Sequence, residues 1–212
     1  MVLSAEVRWF WQGPRPNLYQ WFAGISVPPG GGGTRVDTYL IDRGQAELGI
    51  KSRGSKPGLE IKALVSERAS HTLGGHTATS QIWTKLTTTA LTLDYLPTLS
   101  THKKRWLRKY DTGGSTIREI GLGTNELPLS QEPLPDHGCN VEFTEVRIED
   151  LSQVWVTLGV EAFGSLDRIE GSLRSIVQLL DSKALPDAGP GAALSYPQWL
   201  ADVGPQPRER VE

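Results

Sequence analysis

The chain has 212 residues, of which 22 are basic and 24 acidic, for a formal net charge of −2. That length suits one large domain, or one domain with a tail, and the near-balance of charge gives no basis for global attraction to nucleic acid, so any anion site must be local. The only cysteine, Cys139, excludes an intramolecular disulfide and a Cys-based metal cluster. It reads as a small buried strand residue and fits a reducing compartment. No apolar run approaches the length of a membrane span, and no basic region followed by an apolar stretch opens the chain, so a soluble cytoplasmic protein is expected.

In chain order, Val2 to Trp11 alternates as a strand, with Ser4, Glu6, Arg8 and Phe10 opposing Ala5, Val7, Trp9 and Trp11. Gly13, Pro14 and Pro16 end it, and Asn17 is expected to cap a short helix over Leu18 to Ala23. Pro28, Pro29 and Gly30 to Gly33 read as a flexible turn. It is not a nucleotide P-loop, because it lacks the Lys and Ser/Thr and precedes a strand. Strands follow at Thr34 to Ile41, Glu47 to Arg53 and Leu59 to Glu67, separated by turns at Asp42-Arg43-Gly44 and Gly54-Ser55-Lys56-Pro57-Gly58. Turns this short favour an antiparallel meander, since parallel strands need crossovers of roughly a dozen residues.

Further strands are expected at Ser80 to Thr88, Thr101 to Tyr110, Ser115 to Ile120, Asn140 to Ile148 and Val154 to Phe163, with a Pro-rich connection over Leu122 to Gly138. Helical spacing is clear once, after Gly164. Ser165 is the expected cap, and Leu166, Ile169, Leu173, Ile176, Val177 and Leu180 form one apolar stripe that should pack on the outside of the sheet. Residues 1–183 are therefore read as one domain, and residues 184–212 as an Ala/Gly/Pro-rich tail, disordered at its end, with Tyr196 and Trp199 able to dock it.

About eight strands with one strong helix predict a mainly β (α+β) fold, an eight-stranded antiparallel barrel or tunnel with flanking helices. Parity places aligned charges on one face of separate strands. Glu47, Lys51 and Arg53 oppose Leu48 and Ile50; Glu60 and Lys62 oppose Leu59, Ile61 and Ala63; Glu142 aligns with Thr144, and Glu161 with Trp155, Thr157 and Gly159. A lumen carrying Lys51, Arg53, Lys62, Lys85 and Arg105 needs carboxylates, water or a polyanion to fill it, because each unpaired buried charge costs several kcal/mol. Phosphate oxygens suit Lys and Arg, and carboxylates suit hard divalent ions.

The order of several short segments resembles the CYTH group, the triphosphate tunnel metalloenzymes. These are Asp37-Thr38-Tyr39-Leu40, Leu48-Gly49-Ile50-Lys51-Ser52-Arg53, Leu59-Glu60-Ile61-Lys62, Lys103-Lys104-Arg105, Val141-Glu142-Phe143-Thr144 and Thr157 to Gly164. The resemblance runs from about Val2 to Leu180. It implies an eight-stranded tunnel and, in many members, hydrolysis of triphosphate substrates with a divalent metal. By resemblance Glu6, Glu142 and Glu161 are the catalytic and metal-side carboxylates for Mg²⁺ or Mn²⁺. Arg8, Lys51, Arg53, Lys62, Lys85, Lys103 and Arg105 are then the phosphate-binding residues. The family's N-terminal Glu-x-Glu-x-Lys strand is met here by Ser4, Glu6 and Arg8, so the first carboxylate is absent and arginine replaces lysine.

Two functions stay open at this stage. One is a metal-dependent phosphohydrolase that binds and cleaves triphosphate or another polyphosphate. The other is a non-catalytic barrel that binds a phosphorylated or other anionic ligand; a barrel whose charges only solvate each other is a third possibility. Other chemistries find less support. His71, His76, His102 and His137 lack metal-ligand spacing, with His71 and His76 expected in a solvent loop, and no nucleophile elbow appears. The basic run Lys103 to Lys109, interleaved with Trp106, is weak support for RNA in a chain of net charge −2.

Overall fold

Alternation along each strand decides which side chains face inward, and the computed structural model, which describes residues 2–41, 46–54, 56–131 and 133–204, follows it closely. The strands are β1 (Val2–Gln12), β2 (Gly30–Leu40), β3 (Leu48–Arg53), β4 (Lys56–Leu73), β5 (His76–Thr88), β6 (Thr98–Asp111), β7 (Arg118–Ile120), β8 (Gly138–Ile148), β9 (Val154–Phe163) and β10 (Ala192–Ala193). The helices are α1 (Pro16–Gly24), α2 (Leu166–Asp181) and α3 (Tyr196–Val203). Eight strands pair antiparallel in the order β1, β5, β4, β3, β2, β6, β8, β9, and β9 returns to β1. The barrel is closed, which removes free sheet edges.

The outward residues of β1, β8 and β9 form the main core. Ala5, Val7, Trp9, Trp11, Val141, Phe143, Val156, Leu158 and Val160 pack with Ile169, Leu173, Ile176, Val177 and Leu180 of α2 and with Leu18 and Phe22 of α1. Fully burying each Leu or Ile of that stripe contributes about 1.5–3 kcal/mol, which holds α2 on the barrel wall. A second cluster lies inside one end of the barrel. There Phe10, Leu99, Val146 and Ile148 point inward and receive Trp199 of α3, with Tyr196, Leu200 and Val203 packed alongside. The tail thus closes one end of the lumen with apolar side chains and leaves the charged half as a chamber.

Several expected elements differ in detail. The glycines from Gly30 are part of β2 and no turn: Gly30 pairs with Leu107 and Gly31 with Trp106, and a bulge precedes Thr34. Glycine is required there because a Cβ at Gly30 would stand 2.4 Å from Leu122 Cβ, and Gly31 and Gly32 have φ of +92° and +87°. Asn17 does not cap α1. The helix starts at Pro16, whose fixed φ suits a first turn, with Arg15 at the N-cap position. Ser165 does precede α2, without a side-chain capping bond. Leu166 lies off the stripe and is exposed.

β4 runs on to Leu73, because two bulges let it keep pairing with β5 through the Gly74-Gly75 turn. His71 is therefore a buried strand residue 3.9 Å from Glu170 of α2, not a loop histidine. Cys139 is fully buried, and burial pushes its thiol well up. The expected turn at Asp42-Arg43-Gly44, Ser55 of the next turn, and the tail's end beyond residue 204 lie outside the described residues. No described helix is long and apolar enough to cross a membrane.

Candidate functional site

The inward parity of β1, β9 and β8 places Glu6 opposite Glu161, Arg8 opposite Gly159, and Glu142 opposite Gly159 on its other side. Across the lumen, β6 and β2 set Lys103 opposite Arg35, while β3, β4 and β5 bring in Lys51, Arg53, Glu60, Lys62 and Lys85. One chamber of about 720 Å³, solvent at its mouth included, is lined by all of these side chains, Gly159 excepted, together with Arg105, Tyr39, Trp83 and Tyr196. All ten residues picked from the sequence, Glu6, Arg8, Lys51, Arg53, Lys62, Lys85, Lys103, Arg105, Glu142 and Glu161, line this single space. The fold is the closed eight-stranded antiparallel barrel expected from the sequence.

No protein-family model and no curated protein sequence matches the chain. Among solved structures, it resembles a conserved hypothetical protein from Pyrococcus furiosus at 12% identity and a TM-score of 0.40, over 82% of this chain and 90% of that one. It also resembles a putative adenylyl cyclase from Hippeastrum, described as having a dominant triphosphatase activity. That likeness stands at 9% identity and a TM-score of 0.38, over 86% of this chain and 89% of the other. Likeness this distant leaves the chamber to be understood from its own residues.

Three ion clusters fill the walls. In the first, Arg8 Nε donates to Glu6 Oε1 at 3.3 Å, and Arg8 Nη1 donates to Glu142 Oε1 at 3.0 Å and to Thr157 Oγ1 at 2.7 Å. Lys62 pairs with the second oxygen of Glu6 and stands 4.0 Å from Glu161, while Arg105 binds Glu142 at 3.0 Å and also Glu126. Burial alone would raise both carboxyls. Lys62 and Arg8 outweigh it at Glu6, and Arg8 and Arg105 hold Glu142 well below the usual carboxylate range.

In the second cluster, Asp37 is fully buried and receives Lys103 at 3.1 Å, Arg35 at 3.2 Å and Lys51 at 3.5 Å. Burial opposes its charge, but Lys103, Lys51 and Arg35 bring it down to about 2. Lys103 also donates to Tyr39 Oη at 2.8 Å and lies 3.7 Å from the centre of the Tyr196 ring. Burial, with Lys51 beside it, pulls Lys103 well below the ordinary lysine value. In the third cluster, Glu60 accepts Lys85 at 3.1 Å, Lys51 at 3.2 Å and Arg53 at 3.3 Å; against burial, Lys51, Arg53 and Lys85 lower it to about 2.

These lowered carboxyls make stability depend on pH. Their contribution is fully present above the ordinary values of 3.8 for Asp37 and 4.5 for Glu60, and it is lost as pH falls toward 2. Each should account for on the order of 2–3 kcal/mol. Urea unfolding at pH 5 and pH 3 should show a loss of that size, and Glu60→Gln should remove Glu60's share; a pH-independent midpoint would contradict it.

Sequence reasoning missed Arg35 and Tyr196 as chamber residues and Asp37 and Glu126 as ion partners behind its wall, and it assigned no role to Glu60. Arg35, Asp37 and Tyr39 do share one parity in β2, a signal that was available. Glu126 comes from the Pro-rich connection and Tyr196 from the tail, where no periodicity indicates what the side chain meets.

A divalent ion would need open carboxylate oxygens. Glu6 and Glu142 instead share the Arg8 guanidinium, and Glu161 stands 4.0 Å from the Lys62 ammonium. Among the described residues, no group of three or more acidic, His or Cys side chains is placed to hold a metal. The expected Mg²⁺ or Mn²⁺ would have to displace Arg8, so this donor set does not fit a divalent ion as it stands.

Proposed function

We propose that the chamber binds a linear polyanion of the triphosphate or polyphosphate class by direct contact with its lysines and arginines. The observation that carries this is the charge imbalance of the lining. Eight cationic side chains, Arg8, Arg35, Lys51, Arg53, Lys62, Lys85, Lys103 and Arg105, face four carboxylates, Glu6, Glu60, Glu142 and Glu161. Even after Asp37 and Glu126 are counted, positive charge remains in excess. Arg53 Nε and Tyr196 Oη are also buried without a hydrogen-bond partner, and a phosphate oxygen would supply one. A chain of phosphates can touch several cations at once, which a single phosphate cannot. Of the two functions left open by the sequence, the engaged carboxylates favour binding over metal-dependent hydrolysis.

Thermal unfolding tests this. Tripolyphosphate at about a hundredfold excess over its Kd should stabilise the protein by about 2.7 kcal/mol, a rise of roughly 5–10 °C in Tm. Orthophosphate at equal ionic strength should do much less, and Arg53→Ala or Lys85→Ala should narrow the difference. An equal response to both anions, unchanged by either substitution, would reduce the effect to ionic screening and overturn the proposal.

A further inference from the structure

We infer that Arg8 is a resident cation, a guanidinium built into the wall as the permanent counter-ion of Glu6 and Glu142, so that polyanion binding in this chamber is independent of metal. The inference rests on the anion-binding reading for its ligand but on separate observations for its substance. Two carboxylates on different strands, Glu6 buried and Glu142 half-buried, face one guanidinium and bind different nitrogens of it, and Thr157 adds a third bond at 2.7 Å. Thr144 Oγ1 donates to the same Glu142 oxygen at 3.0 Å and fixes its orientation. The Tyr196 ring covers the group, with Arg8 Cζ 4.8 Å from the ring centre.

The strand opposite is shaped for this side chain. A Cβ at Gly159 would lie 2.5 Å from Arg8 Cζ and within 2.8 Å of both terminal nitrogens, so only glycine lets the guanidinium lie against β9. Glu142 and Glu6 also push the guanidinium's pKa up against the cost of burial, so the group keeps its charge. A lysine could not do the same work. Its single ammonium cannot present separate N–H groups to two carboxylates and a hydroxyl in one plane. Nη2, which none of these bonds uses, is left for a ligand oxygen. Together with Lys62 on Glu6 and Arg105 on Glu142, the guanidinium thus balances two carboxylates that would otherwise repel an anion, and it offers a donor of its own.

Calorimetry on the full chain tests it with tripolyphosphate and Mn²⁺ as separate probes. Wild-type protein should bind tripolyphosphate equally well with and without EDTA. Added Mg²⁺ should weaken the binding, because the ion competes for the free polyphosphate. Manganese alone should show no saturable binding to wild type by electron paramagnetic resonance. Arg8→Ala frees one oxygen each of Glu6 and Glu142 and should gain a saturable Mn²⁺ site, with at least a tenfold rise in affinity. Gly159→Ala, a milder variant that dislodges the guanidinium without removing it, should move the same way if Arg8→Ala does not fold.

A wild-type affinity for tripolyphosphate that falls tenfold or more in EDTA would overturn the inference and leave anion binding intact. Saturable Mn²⁺ binding to wild type would do the same. If tripolyphosphate does not bind under any condition, the anion reading fails. A Mn²⁺ site gained in either variant would still establish the resident cation.

Discussion

Replacing Asp37 by Asn should cost roughly 3–5 kcal/mol, the usual consequence of leaving buried charges without their partner. The side chain keeps its shape and loses the one negative charge shared by Lys103, Arg35 and Lys51, all within 3.5 Å of it. Urea unfolding near neutral pH reads the loss directly. It should shrink as pH rises toward the ordinary lysine value of 10.5, because Lys103, already lowered by burial, then enters the folded chamber neutral. Tripolyphosphate should also raise the Tm of Asp37→Asn by more degrees than that of wild type, since it supplies the missing anion. A loss under about 1 kcal/mol, within the range of surface ion pairs, would mean that the cluster is solvated rather than buried.

The second large effect concerns the tail. Trp199 is fully buried inside the barrel end and stacks on Phe10 at 5.1 Å and 14°. Trp199→Ala should cost about 3–5 kcal/mol in lost burial and cavity. Because Tyr196 shares α3 with it and lies beneath Arg8 and Lys103, the same change should loosen the chamber floor. Hydrogen exchange should rise first over Tyr196–Val203, with β1 and β6 following at Arg8 and Lys103. If Trp199→Ala left both stability and exchange unchanged, α3 would be an ornament on a self-sufficient barrel. A tail segment that closes one end of the lumen also means that the chamber is not formed by residues 1–183 alone: Ser195, Tyr196 and Pro197 line it.

Period-2 alternation made the barrel legible, because a strand with one apolar wall commits every second residue to the other side. Lys51 with Arg53, Glu60 with Lys62, and Glu142 with Thr144 could be assigned to one lumen before any coordinates, and they converge there. Parity names a face and is silent on the partner. It could not show that Asp37 would sit among three cations, or that Arg8 would bridge Glu6 to a carboxylate 134 residues away. It also misjudged segments where backbone geometry overrides composition. Gly30 to Gly32 look like a loop but are strand, made necessary by the close approach of Leu122, and His71 looks like loop because the bulges that extend β4 leave no mark in hydrophobic pattern. Arg8 is the instructive case. As a residue type it reads as a departure from a Lys pattern, whereas Gly159, Thr157 and the two carboxylates around it make arginine the residue that this site is shaped to hold.

The most direct measurement is a crystal of the protein soaked with tripolyphosphate and Mn²⁺, with anomalous diffraction used to find the metal. The account predicts three linked phosphates within the chamber, contacting Arg53, Lys85 and Arg105, with the Arg8 guanidinium still between Glu6 and Glu142 and no manganese peak at those carboxylates. Phosphates bound instead on the outer face near His102, Lys104 and Arg147, or manganese held by Glu6, Glu142 and Glu161 with Arg8 swung aside, would contradict it.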